Sequence, residues 1–180
     1  MVIDAVLLNI LAVSLAILFL VAGVQKFVHQ PQFASVLTAY ALAPAWLLPL
    51  LVLFIPVLEL VVGAGLLLNI VNATGHWVAV AAAAALLAAY ALAMGVNLWR
   101  GRHEIDCGCQ FGGAPQQISY ALVVRNLLLV LATGCLLFPS AERALSWFDF
   151  GVIGFGVFMA CLIYGIGNNL IATFNRQLAK

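Results

Sequence analysis

WLLPLLVLFIPVLELVVGAGLLLNI, residues 46–70, contains a single ionisable side chain, Glu59. The stretch is continuously apolar, whereas a strand of a membrane barrel would alternate between polar and apolar residues. About 18 apolar residues are enough for a helix to cross the hydrocarbon of a bilayer. The stretch therefore predicts a transmembrane α-helix with a carboxyl group near its middle.

Comparable apolar runs lie before and after this stretch, at residues 5–24, 76–98, 118–138 and 150–173. The whole chain is 66% hydrophobic and 7% charged, against about a quarter charged in soluble domains. The formal net charge of +1 offers no basic surface for nucleic acid. We therefore expect an all-α integral membrane protein, a bundle of five transmembrane helices that forms a single polytopic domain over residues 1–180.

Two connections between the apolar runs are long. Residues 28–45 place apolar side chains at helical spacing after a proline, which predicts a short amphipathic helix at the membrane interface: Pro31, Phe33, Val36, Leu37 and Tyr40. A loop that packs on the bundle is the alternative. The second connection, residues 99–117, holds a large share of the chain's few charges.

The distribution of lysine and arginine predicts an orientation in the membrane. Arg143 is the one basic residue on the side that would hold the N-terminus, and the opposite side would hold Lys26, Arg100, Arg102, Arg176 and Lys180. Because cytoplasmic loops carry the excess of basic residues, the N-terminus is expected outside and the 99–117 loop in the cytoplasm.

Two cysteines stand one residue apart in this loop, in DCGCQFGG at residues 106–113. Gly108 allows the bend that would bring the sulfurs of Cys107 and Cys109 together, and the small ring of such a disulfide would be strained and exchangeable. Reversible thiol–disulfide chemistry at a surface that a partner's thiol can reach is therefore the favoured interpretation.

Other interpretations of the two cysteines stay open. They are small residues in a glycine turn, or a disulfide that only braces the loop, or metal ligands together with His103 or Asp106, although their spacing is short for a zinc site. The remaining cysteines, Cys135 and Cys161, fall inside apolar runs, where cysteine is an ordinary apolar residue.

Glu59 and Arg125 both lie within predicted spans. Because an ionisable group in the membrane normally faces the bundle interior with a partner, we expect a Glu59–Arg125 pair. It would either hold two helices together or form a polar pocket that binds a substrate or relays protons, extended by Asn97 and Asn126. Lys26, at the end of the first run, is expected to be a snorkelling anchor.

Four segments in this order resemble the MauE family of methylamine-utilisation membrane proteins, within the wider DoxX-like redox-associated family. They are AGVQKF (22–27), PVLELVVGAGLLL (56–68), DCGCQFGG (106–113) and VVRNLLL (123–129). Gln110 is an insertion relative to the Cys-Gly-Cys-Phe-Gly of many relatives.

The resemblance implies a multi-pass protein of the bacterial inner membrane that supports maturation of the methylamine dehydrogenase β subunit. It implies a thioredoxin-like periplasmic partner, MauD, thiol chemistry at Cys107 and Cys109, and binding or proton relay at Glu59 and Arg125. A periplasmic client conflicts with a cytoplasmic Cys-Gly-Cys loop. No cofactor is expected; a quinone belongs to one alternative, a DoxX-type quinone-linked oxidoreductase subunit, and a small-solute transporter is the other.

Overall fold

The computed structural model describes residues 3–71, 76–108, 116–139 and 145–178. Within these ranges the chain forms six α-helices: α1 Ala5–Val28, α2 Gln30–Tyr40, α3 Leu48–Val71, α4 His76–Trp99, α5 Tyr120–Cys135 and α6 Trp147–Leu178. The extended backbone of the described residues contributes one isolated bridge, between Asp106 and Gln117. The predicted all-α membrane fold is confirmed.

Four of the helices are long and apolar enough to cross a bilayer, namely α1, α3, α4 and α6. The predicted fourth span, residues 118–138, is instead a shorter apolar helix of 16 residues, α5. At 1.5 Å per residue α5 is about 24 Å long, against about 30 Å for the hydrocarbon core. It is shorter than expected because the backbone before Tyr120 is extended and Ile118 is buried against the bundle in that conformation.

Helices α1 and α3 pack closely because glycines stand at their contact, where any side chain would be in the way. A Cβ atom on Gly23 would lie 2.9 Å from Leu60 Cγ, and one on Gly63 would lie 2.8 Å from Leu20 Cγ and 3.1 Å from the Ala16 carbonyl oxygen. Small residues at such crossings let two backbones approach closely in a membrane, where packing is the main driving force for association. Gly23 meets Leu60, whereas Gly63 meets the earlier residues Leu20 and Ala16. Residue numbers therefore rise along α1 as they fall along α3, so the two helices are antiparallel.

The other helices continue this alternation. The main buried cluster joins residues of α1, α3 and α4 with Leu136, just after α5, and a second cluster joins Met94 and Leu98 near the end of α4 with Leu122 near the start of α5. Arg125 near the start of α5 meets Asn168 in the second half of α6. The ends of α1, α4 and α6 and the starts of α3 and α5 therefore lie at one end of the bundle, here called the loop end.

The short helix predicted between the first two spans is α2. It begins with Pro31 in its first turn and ends at Ala41, whose φ of 48° is left-handed. Phe33 and Tyr40 are its buried residues, as the predicted apolar spacing requires. Because α2 returns across the loop end of the bundle, it covers part of the space between α3 and α4.

Gly63→Ala is expected to lower the thermal unfolding midpoint of the purified protein. The added methyl group would press on the Ala16 carbonyl oxygen, which cannot move without shifting α1, and overpacking of this kind costs about 1–3 kcal/mol. Gly95→Ala is the matched control, because a Cβ there has nothing within 4 Å. Equal midpoints for the two variants would contradict the close α1–α3 contact.

The alternating order predicts the sidedness of the segment before α1 and of three connections. Reporter fusions at Pro44 and Arg100 should report one compartment, and fusions at Ile3 and Pro139 the other. Pro139 is the critical position, because the short α5 precedes it. A Pro139 fusion that reports the same side as Arg100 would mean that α5 does not cross the membrane.

Candidate functional site: a buried ion pair beside an apolar cavity

A buried ion pair joins α1 to α3. Lys26 Nζ donates a hydrogen bond to Glu59 Oε1 and forms a salt bridge with it. Tyr90 of α4 donates its hydroxyl proton to the same carboxylate oxygen at 2.6 Å, and its oxygen lies 3.3 Å from Lys26 Nζ. Three helices thus meet at one carboxylate, and we call Lys26, Glu59 and Tyr90 the charge cluster.

The two charged residues of the charge cluster are buried. Lys26 is 7% and Glu59 1% exposed. The ammonium group lies 4.7 Å from the centre of the Tyr90 ring and 5.5 Å from that of Phe33, where the ring quadrupoles attract a cation. Glu59 Oε2 is buried without a hydrogen-bond partner. Lys26 is therefore a buried member of the site, and the expectation of a snorkelling anchor was wrong.

The expected Glu59–Arg125 pair is also wrong. Arg125 Nη1 donates to Asn168 Oδ1 at 2.5 Å, and its guanidinium lies 5.4 Å from the centre of the Tyr164 ring. The reason is helix order: α5 packs mainly on α4, whereas α3 packs mainly on α1. Lys26, on the helix that touches α3, reaches Glu59 instead.

Asn97 and Asn126, which were expected to extend the polar pocket, are both buried. Asn97 donates its side-chain amide to the Ala93 carbonyl oxygen of its own helix at 3.0 Å, while Asn97 Oδ1 and Asn126 Nδ2 have no hydrogen-bond partner. Neither residue touches the carboxylate of Glu59. The two asparagines are therefore separate from the charge cluster.

Cys107 lies under α2 and not at an accessible surface. Its exposed fraction is 6%, and it belongs to a buried cluster with Tyr40, Met94 and Leu98. The Tyr40 hydroxyl is 3.5 Å from the Cys107 carbonyl oxygen. The prediction that a partner's thiol reaches Cys107 freely is therefore wrong, because the chain after α4 folds back into the bundle beneath α2.

Backbone hydrogen bonds fix the position of Cys107. Its N–H donates to the Gln116 carbonyl oxygen at 2.8 Å, and the Ile118 N–H donates to that of Ile105 at 2.9 Å. Asp106 Oδ1 accepts from the Gln116 N–H at 3.2 Å. Gly108 has a left-handed φ of 67°, and a Cβ there would meet Val36 Cγ1 of α2 at 3.0 Å.

The same segment is tied to α6 through Asn168. Gln116 is buried, and its side-chain amide lies 3.4 Å from the Asn168 carbonyl oxygen. Because Asn168 also accepts from Arg125 through its side chain, one residue of α6 holds both the backbone beside Cys107 and the start of α5. Arg125 thus contributes to the support of the cysteine segment.

A cavity of about 320 Å³ connects the charge cluster with Cys107. Its wall comes from the ends of α1 and α4, from the start of α3, from α2 and from the cysteine segment: Lys26, Phe33, Val36, Leu37, Tyr40, Leu42, Ala43, Leu51, Ile55, Ala89, Tyr90, Ala93, Met94, Cys107 and Gly108. Most of these side chains are apolar or aromatic. Leu42 and Ala89 are exposed at the protein surface, so the cavity reaches the outer surface of the bundle.

The structure leaves part of the predicted cysteine site untested. Cys109 lies outside the described residues, so its distance to Cys107 and its share in any metal site remain predictions. Among the residues that are described, no group of three or more histidine, cysteine or acidic side chains could hold a metal ion. Cys135 is half-buried and Cys161 is exposed on α6, and neither lines the cavity.

Tyr90, Phe33 and Asn168 are functional candidates that the sequence analysis missed. Tyr90 and Asn168 interrupt apolar runs with hydrogen-bonding groups, which is a signal of the same kind as Glu59 but weaker, since neither residue is charged. Phe33 was read only as part of an apolar face. Nothing in its spacing indicates that its ring faces a buried ammonium group.

Lys26→Met and Glu59→Gln should each destabilise the protein by about 3–5 kcal/mol, because each leaves the other charge buried alone. The double variant Lys26→Met/Glu59→Gln should lose less than the sum, since it removes the charges together. Unfolding free energies of the four proteins in one detergent measure the coupling.

Glu59→Gln combined with Arg125→Gln is the control cycle. These two side chains bind different partners, so their losses should add within about 0.5 kcal/mol. Additive losses in the Lys26–Glu59 cycle, or strong coupling in the Glu59–Arg125 cycle, would contradict the observed pairing.

Known proteins match most of the chain. Residues 4–139 match the family model for methylamine utilisation protein MauE. Curated MauE proteins align from Paracoccus denitrificans, 37% identical over 69% of this chain and 67% of the relative, and from Methylorubrum extorquens, 35% identical over 84% and 80%. The Paracoccus versutus protein is 40% identical over 72% of this chain and 68% of the relative. No solved structure matches.

The family match, residues 4–139, includes Lys26, Glu59, Tyr90, Cys107 and the whole cavity wall. All of α6, including Asn168, lies beyond it. The chain belongs to the MauE family of methylamine utilisation proteins.

Proposed function

We propose that this protein is an accessory protein of methylamine utilisation in the bacterial inner membrane, where it carries out thiol–disulfide exchange at Cys107 and Cys109. In this proposal it supports disulfide formation in the β subunit of methylamine dehydrogenase, and a thioredoxin-like periplasmic protein of the MauD type is its partner. Family membership supports the methylamine context. The cysteine chemistry is supported by the sequence motif and by the surroundings of Cys107.

The observation that carries the proposal is the position of Cys107 on the wall of a cavity that also contains a buried cation. The Cys107 N–H donates to the Gln116 carbonyl oxygen, and two further hydrogen bonds hold the neighbouring residues, from Ile118 N–H to the Ile105 carbonyl oxygen and from Gln116 N–H to Asp106 Oδ1. A thiol held in a fixed position beside the cavity is suited to repeated thiol–disulfide exchange. The left-handed Gly108 next to it gives the backbone bend that a Cys-Gly-Cys disulfide requires.

The burial of Cys107 assigns different roles to the two cysteines. Thiol–disulfide exchange needs a thiolate that reaches the partner's sulfur and a second thiol that resolves the mixed disulfide. Cys107 is 6% exposed, so it is suited to the resolving step inside the protein. Cys109 then carries the mixed disulfide: the partner's thiolate attacks the Cys109 sulfur of the Cys107–Cys109 disulfide, Cys107 leaves as the thiolate, and the partner's second thiol releases Cys109 and completes the partner's disulfide. Glu59 would serve as a binding or proton-relay residue through the charge cluster, and Arg125 as a supporting residue.

Cys107→Ser is expected to trap a covalent complex between Cys109 and the partner protein: the Cys109 thiolate attacks the disulfide of the oxidised partner in the reverse of the exchange, and no Cys107 thiol is left to resolve the mixed disulfide. Cys109→Ser should trap none. The measurement is a non-reducing gel of membranes from cells that express the tagged variants with the methylamine-utilisation proteins, and the complex should disappear on reduction.

Cys135→Ser and Cys161→Ser are the matched controls, and both should leave maturation of the dehydrogenase largely intact. Maleimide labelling of intact cells and of inverted vesicles, with and without reductant, reports the redox state and the sidedness of the pair together. Full labelling without reductant, combined with normal maturation in a Cys107→Ser/Cys109→Ser variant, would rule out the thiol proposal.

A further inference from the structure

We infer that the cavity between the charge cluster and Cys107 binds the ring of a membrane quinone, which accepts the electrons of the cysteine pair. The inference rests on the proposed thiol function for its purpose, but the binding site consists of described residues alone. Three features of the cavity carry it: an unused hydrogen-bond donor, the shape and chemistry of the wall, and the access route to Cys107.

The unused donor belongs to Lys26. An ammonium group carries three N–H donors, and Lys26 directs hydrogen bonds to Glu59 Oε1 and the Tyr90 hydroxyl oxygen. No described residue accepts the third, and Lys26, at 7% exposure, lines the cavity. A buried donor without an acceptor costs free energy. A carbonyl oxygen of a ligand in the cavity would complete the set.

The wall fits a flat, mostly apolar ring. Phe33, Tyr40 and Tyr90 contribute aromatic side chains, and Met94 and Leu51 contribute flexible apolar surface. The volume of about 320 Å³ lies at the lower end of the roughly 300–1,000 Å³ of small-molecule pockets, which suits one ring and not a large polar substrate. A single cation against an apolar wall matches a ligand with a carbonyl group and little other polarity.

Access explains why the ligand comes from the membrane. α2 covers Cys107 at the loop end, while Ala89 is an exposed wall residue within the apolar α4 span, Trp77–Trp99. A molecule that enters the cavity beside Ala89 therefore comes from the bilayer. Among lipid-soluble molecules, a quinone has both the carbonyl acceptor that Lys26 lacks and the capacity to take two electrons.

The electron balance of the step is complete with these partners. The S–H bonds of Cys107 and Cys109 break and one S–S bond forms, which releases two electrons and two protons. The quinone takes up both and becomes the quinol, which returns to the bilayer. The disulfide then passes to the partner protein by exchange, so that one quinone is used for each disulfide made.

The test is equilibrium binding of decylubiquinone to the purified protein in nanodiscs of synthetic phospholipid. Saturable binding of one quinone per protein is expected. Ala93→Phe fills the cavity from α4 and should weaken binding at least tenfold. Lys26→Met/Glu59→Gln removes the donor while leaving no unpaired charge, and the loss of one charge-assisted hydrogen bond should also weaken binding about tenfold or more.

Ala85→Phe is the matched control, since Ala85 is exposed on the same helix and is not part of the cavity wall; its affinity should equal that of the unchanged protein. Ile55→Trp fills the cavity from α3 and replaces Ala93→Phe if that variant does not fold. No saturable binding to the folded protein, or equal affinities for the cavity variants and the control, would overturn the inference. If the Lys26→Met/Glu59→Gln variant binds decylubiquinone with unchanged affinity, the cavity holds the apolar chain of the quinone and not its ring. That result would also overturn the inference.

The two proposals fail in different measurements. Quinone binding is measured without reference to the thiols, so its absence leaves the trapped-complex experiment unaffected. Conversely, normal quinone binding in a protein whose cysteines never form a disulfide would rule out the thiol function and the electron transfer from the cysteines, and would leave the quinone-binding site in place. Reduction of bound decylubiquinone by the prereduced protein, and not by its Cys107→Ser/Cys109→Ser variant, joins the two.

Discussion

The ion pair between Lys26 and Glu59 is the constraint on which the arrangement of the other elements depends. In a chain that is 7% charged, two of the charges are withdrawn from both water and lipid and placed between α1 and α3. Desolvating both groups costs several kcal/mol, which only good geometry can offset. The pair therefore fixes the register of the two helices, while Gly23 and Gly63 set their separation.

Tyr90 extends this constraint to α4, and Phe33 extends it to α2. The hydroxyl of Tyr90 must face the carboxylate of Glu59, which orients the end of α4. The ring of Phe33 lies over the ammonium group, which draws α2 back across the loop end of the bundle. α2 in turn covers Cys107. A polar contact deep in the bundle thus determines how far the cysteine lies from water.

The sequence predicted the helices well because hydropathy is a local property. Apolar runs identified α1, α3, α4 and α6, and the spacing of Phe33 and Tyr40 identified α2. α5 came out shorter than its apolar run, because tertiary burial of Ile118 holds the preceding backbone extended. Hydropathy cannot distinguish an apolar residue in a span from one in a buried extended segment.

The partners of the buried charges were not predictable in the same way. Glu59 and Arg125 lie in different runs, and a sequence gives the depth of each residue but not which helices are neighbours. The useful signal was the position of Lys26 inside AGVQKF, three residues after Gly23. Residues three apart lie on the same face of a helix, so a glycine that permits a close helix contact also places this lysine against the neighbouring helix. The cavity itself depends on five segments at once, so no single pattern indicates it.

The cavity wall and α6 have different roles, because the residues of the wall and the contacts of α6 lie in different parts of the chain. Every residue of the cavity wall lies between Lys26 and Gly108, inside the 4–139 region that matches the family. α6 contributes no residue to that wall; through Asn168 it holds Gln116 and Arg125. Gln116 accepts the backbone hydrogen bond of Cys107, and Ile171 of α6 packs on the buried cluster that contains Cys107, so α6 supports the cysteine segment without contributing to the ion pair. The chemistry of the cavity and the rigidity of the segment that carries Cys107 therefore depend on different helices, and a change in α6 can alter the second without altering the first.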